Sequence, residues 1–134
     1  MADADGDREP IYVFALDRAY LFKHYFARED VFDALSDHYD HDEYRFEVPE
    51  REWDDVAETL RGYRYAPEVV EDLADFVVVT DQYAPHADVL RESVASWTRR
   101  GHRFFLLKDP VSVELAVAEH GATPVGETDM VVGL

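Results

Sequence analysis

Residues 76–110 read FVVVTDQYAPHADVLRESVASWTRRGHRFFLLKDP, and the fold turns on how this stretch is read. Phe76-Val77-Val78-Val79-Thr80 is apolar, β-branched and bounded by polar residues, which marks a buried strand. Pro85 opens a helix that carries Val89, Leu90, Val94 and Trp97 and stops at Gly101 behind Arg99-Arg100. Arg103 to Lys108 is a second strand. Strand, helix and strand joined by short connections are the pattern of a βαβ unit. Pro110 then starts another helix to about His120, Gly121 ends it, and Thr128 to Val132 forms a last strand. The sequence therefore predicts an α/β fold: a small sandwich with a mostly parallel sheet of four or five strands and flanking helices. An α+β fold with an antiparallel sheet is the alternative.

Outward from this stretch the front half is mixed. Ile11 to Leu16 is an unbroken apolar run and reads as a strand, after which Asp17 caps a helix through about Ala27. A second helix fits Asp30 to His38, with Asp30 as its cap. Tyr44 to Val48 alternates strictly and suits an edge strand with one face in solvent. Glu50 to Arg61 places Trp53, Val56, Ala57 and Leu60 on one helical stripe. Pro67 then suits the first turn of a helix carrying Val69, Val70 and Leu73. Residues 1–9 are expected to be an acidic disordered tail, and 10–134 a single α/β domain.

Charge narrows the function classes. The 134 residues hold 30 Asp and Glu against 13 Lys and Arg, a net charge of −17. Such a chain is repelled by nucleic acid and by anionic membranes. The absence of cysteine removes disulfides, thiol catalysis and cysteine metal sites. No apolar stretch approaches the roughly 18 residues of a membrane span, and no export leader is visible, so a cytoplasmic location is expected. Eleven of the 13 basic residues are arginine, and Asp (17) exceeds Glu (13). In this the composition resembles that of cytoplasmic proteins of salt-in halophilic archaea. The resemblance implies a hydrated carboxylate surface kept soluble in molar salt, where the Debye length is about 3 Å.

In a parallel sheet, ligands bind beyond the carboxyl ends of the strands. That rule nominates Asp81, His86 and Asp109 for proton or metal handling, with Mg²⁺ as the cofactor that mostly carboxylate and water ligands would hold. Arg18 and Lys108 would face an anion such as a phosphate. Helix capping accounts for Asp81 and Asp109 equally well. His38 and His41 lie among Asp37, Asp40 and Asp42 and form the weaker metal candidate. Arg99, Arg100 and Arg103, beside Trp97, make a basic patch that stands out in so acidic a chain. Arginines at a helix C-terminus are its ordinary explanation. Neither GxGxxG nor GxxxxGK[ST] occurs, and the serines lack a GxSxG context.

Three functions are compatible with this. The first is a non-catalytic domain that binds itself or another protein, suggested by the surplus of tyrosine and phenylalanine. The second is a small enzyme or binding domain for a phosphorylated or nucleotide-like molecule at the strand-end crevice. The third is a nucleic-acid-associated regulator working through the Arg99–Arg103 patch, placed last because of the repulsion.

Overall fold

The structure is a computed structural model that describes residues 9–70, 72–128 and 130. The chain divides into two compact units, Met1–Glu71 and Asp72–Leu134. Of the expected acidic tail only Glu9 falls within the described residues, and it opens the first strand. The strand expected at Thr128 to Val132 lies mostly outside them.

The first unit contains β1 (Glu9–Leu16), β2 (Ala19–Phe22), α1 (Glu29–Leu35), β3 (Tyr39–Asp40), β4 (Arg45–Pro49), α2 (Trp53–Gly62) and β5 (Tyr65–Val70). Its sheet has the order β3-β4-β2-β1-β5, antiparallel throughout except for the β1–β5 pair. Alternate side chains Ile11, Val13, Phe22, Phe46 and Val48 share one face, as period-two geometry requires. They pack against Val31 and Leu35 of α1 and the Trp53, Val56, Ala57 and Leu60 stripe of α2. Phe22 and Phe46 stack across the β2–β4 pair with ring centroids 4.9 Å apart.

The second unit contains β6 (Val77–Asp81), α3 (Ala87–Arg91), β7 (Ser93–Arg99), β8 (His102–Leu107), α4 (Pro110–His120) and β9 (Thr123–Pro124). Its sheet has the order β7-β8-β6-β9 and is antiparallel throughout. Val78, Phe105 and Leu107 form the floor on which Val89 of α3 and Ala116 of α4 are packed.

These two sheets make the fold α+β and overturn the mostly parallel α/β sandwich. The physical reason lies in what an apolar run reports. Val77 to Thr80 and Phe104 to Leu107 are buried at every position, so both faces of these strands are covered. Two-sided burial is common in parallel sheets but does not set strand direction. Direction was decided by residues 85–101. Only Ala87–Arg91 is helical there, and Ser93–Arg99 is a strand that turns back through Arg100 and Gly101 into β8. Both turn residues have positive φ, 53° and 80°, as a two-residue type I′ hairpin demands.

The same device appears at Asp17-Arg18, with φ of 50° and 64°. It joins β1 to β2 where a helix was expected, and Leu16 pairs with Ala19 across it. Pro67 lies inside β5 and not in a helix; β5 is an edge strand, where a missing N–H is tolerated. The strand expected at Tyr44–Val48 is β4, but it is inside the sheet, shielded by the two-residue β3. Asp30 makes no cap: Arg28 holds that position, and the Asp30 carboxylate pairs with its guanidinium at 2.7 Å. Burial matched expectation on the α2 stripe, and the 110–120 helix begins and ends where Pro110 and Gly121 place it. Among the described residues no helix is long and apolar enough to cross a membrane.

Candidate functional site

Antiparallel pairing disperses the expected crevice. Asp81 ends β6 and pairs with His102 at the start of β8, whereas Lys108 and Asp109 follow the far end of β8. Six residues of strand put roughly 20 Å between those ends. Asp81 and Asp109 therefore cannot share a Mg²⁺ ion, and Arg18 belongs to the first unit, in the β1–β2 turn. Each of these residues has a local task instead. The Asp81 carboxylate accepts the Tyr83 N–H at 2.9 Å and shapes the loop toward α3. Nδ1 of His86 lies 3.0 Å from the Ala84 carbonyl, to which it donates, and the ring rests 5.8 Å from that of Phe105. The Arg18 carbonyl accepts the Glu50 N–H at 3.0 Å, tying the hairpin to the end of β4.

What the structure does gather is a cleft of about 260 Å³ on the second unit, between α3 and α4. Asp109 is the N-cap of α4 and accepts the Ser112 N–H at 2.7 Å, while Pro110 takes the first turn, where its missing donor costs nothing. Lys108 reaches Asp109 at 2.9 Å and Glu92 at 3.2 Å, and its own N–H donates to the Glu92 carbonyl at 3.0 Å. Burial pushes the Lys108 ammonium down, but Asp109 and Glu92 outweigh it and hold the group above its ordinary value. Burial likewise pushes Asp109 up, and the Ser112 and Lys108 bonds more than reverse this. A lysine already shared by two carboxylates has little charge left for a ligand anion. Its work is to fix the end of β8, the end of α3 and the start of α4 together.

Between these fixed points the cleft is apolar. Val89, Leu107 and Ala116 form its buried base, and Val111 and Leu115 line it from the outer side of α4. Those two residues are one helical turn apart and are 61% and 46% exposed. Leu90 of the neighbouring α3 is 42% exposed. The rim carries Asp88 paired with Arg91 at 3.2 Å, the Lys108–Glu92 pair, and Glu119 and His120 at the far end of α4. Glu92, Val111 and Leu115 were not singled out from the sequence. The signal for the last two was present, since apolar residues at 111, 113, 115, 116, 117 and 118 go all round the helix.

The remaining candidates are elsewhere. His38 ends a 3₁₀ turn, and the His41 ring packs edge-on against Tyr39 at 4.8 Å. Between them Asp40 accepts the N–H groups of Glu43 and Asp42, which lower its pKa. Among the described residues no three His, Asp or Glu side chains gather in a metal-holding group. Arg99, Arg100 and Arg103 sit on the β7–β8 hairpin, not at a helix C-terminus, so dipole compensation does not explain them. No protein-family model matches the chain, and no curated protein or solved structure matches it.

Proposed function

We propose that this chain is a non-catalytic, self-associating interaction domain of a high-salt cytoplasm, and that a second copy occupies the α3–α4 cleft. One observation carries the reading. Helix α4 is apolar on every side, yet only Ser112 and Ala116 are buried, and Val111, Leu115 and Val117 face outward. A helix of that kind is at home only when covered on more than one side.

Shape favours a second copy as the cover. If two α4 helices pack antiparallel about a two-fold axis near Val113, Val111 of one lies against Leu115 of the other, and the Lys108 end meets the Glu119 end. The contact is then self-complementary in shape, and the helix dipoles are opposed. Repulsion between two chains of −17 works against pairing, and molar salt screens it.

Sedimentation equilibrium in 2 M KCl tests this. The expected result is a dimer forming near or below about 100 µM, which Leu115→Glu abolishes and Val117→Glu, on another face, leaves in place. A chain that stays monomeric well above that concentration, or a dimer indifferent to Leu115→Glu, would remove the proposal.

A further inference from the structure

The β7–β8 hairpin points to a separate function: we infer that Arg103 and Arg100, with the Thr98 hydroxyl, bind the phosphate of a small phosphorylated molecule. Among the described residues Arg28, Arg45, Arg51, Arg91 and Lys108 each pair with a carboxylate, and Arg18, Arg61 and Arg64, scattered along the first unit, do not. Among the described residues Arg99, Arg100 and Arg103 pair with none, although they fall within five positions of one another.

Strand register sorts them by face. Thr98 pairs with Arg103, and Arg103 with Thr80, so these three side chains form a row on the face of Phe105. Arg99, His102 and Asp81 form a row on the opposite face, which thus includes a carboxylate. In the paired row of Arg103 both neighbours, Thr98 and Thr80, are uncharged. The polar character of this row continues inward: Ser96 is a diagonal neighbour of Arg103 on the same face, with Cα atoms roughly 7–8 Å apart.

Two buried atoms mark this face as electrically unfinished. Arg103 Nε and Ser96 Oγ are both sealed from solvent and hydrogen-bonded to no described group, as is Arg45 Nε in the first unit, but there the guanidinium has Glu47 as its counter-charge. The Arg103 guanidinium is thus partly desolvated without a counter-charge, a state that favours an anion on its outer amines. An oxyanion there accepts from the planar fork of Arg103 and from the exposed Thr98 hydroxyl, with Arg100 closing over it from the turn. The phosphate belongs to a small molecule and not to nucleic acid, because the footprint is short and the remaining surface of a −17 chain repels an extended polyanion.

The experiment is a ¹⁵N-NMR titration with inorganic phosphate and with a nucleoside monophosphate, at constant ionic strength in chloride. Saturable shifts at 98–103 are expected, weakened about tenfold or more by Arg103→Gln and by Arg100→Gln, and about threefold or less by Arg99→Gln. Arg103→Lys should retain part of the affinity, since it keeps the charge and loses the fork, and it guards against misfolding of the Gln variant. Shifts that never saturate, or equal losses from all three Gln variants, overturn the proposal. Affinity for single-stranded oligonucleotides that climbs with length would overturn it in favour of a polyanion surface. Dimerisation through α4 is read separately, so failure of either result leaves the other standing.

Discussion

Helix α2 of the first unit has 10 residues and helix α4 of the second has 11, and their patterns are opposite. On α2 the apolar residues Trp53, Val56, Ala57 and Leu60 occupy one stripe, all of it buried, and Asp54, Asp55, Glu58 and Arg61 cover the outside. On α4 the apolar residues run round the circumference, and Val111, Leu115 and Val117 are exposed. The first helix is finished by its own sheet. The second is anchored by its ends, through Asp109 at the start and Gly121 at the stop, and left apolar on its flank. A helix held that way is presented, much as a binding surface is presented by a rigid scaffold.

The largest effect that separates the two is a core truncation. Leu60→Ala should cost about 2–5 kcal/mol in urea unfolding at high salt, while Leu115→Ala in dilute protein should fall within about 0.5 kcal/mol. Raising the protein concentration should then make Leu115→Ala visible, since a dimer adds stability by mass action. An equal cost for the two at every concentration would break the comparison.

Next in size is the anchoring of α4. Asp109→Ala removes the cap and one partner of Lys108, and should cost about 1–2 kcal/mol. Because the folded protein holds the Asp109 carboxyl below its ordinary value, that stabilisation is complete above the normal carboxylate range and lost as pH falls through and below it. Stability of the parent between about pH 5 and pH 2 should therefore fall more steeply than that of Asp109→Ala. Parallel curves would show that the cap contributes nothing. Gly121→Ala should cost about 1 kcal/mol, because its φ of 69° is strained for any side chain while a Cβ there meets nothing within 4 Å.

How legible each part was follows from the same physics. The α2 stripe and the ends of α4 were plain, because spacing of three and four and the Asp-Pro…Gly punctuation are local signals. Residues 17–27 and 85–101 were misread because few apolar residues at helical spacing also fit a strand after a turn. Neither turn carries the usual Asn-Gly or Asp-Gly pair, so nothing local announced a hairpin. The candidate crevice failed with the strand direction on which it depended. Asp109 was readable as a cap, whereas Glu92, the second carboxylate on Lys108, is brought there only by the fold. The arginines of the hairpin were noticed by composition, but the face each one occupies needed the register.

The two hairpin turns sharpen this at the smallest scale. Arg100-Gly101 places glycine at the second positive-φ position, and Asp17-Arg18 places arginine there, at 64°. An L side chain in that region costs about 1–2 kcal/mol, partly repaid by the greater freedom glycine loses on folding. Arg18→Gly should thus stabilise the protein by about 0.5–1 kcal/mol, and it turns the loop into the favoured Asp-Gly form. The carbonyl that receives the Glu50 N–H is backbone and survives the change. A loss of stability instead would mean that the Arg18 side chain does more than turn the chain, and the first unit, like the second, would then have a hairpin built for something besides its fold.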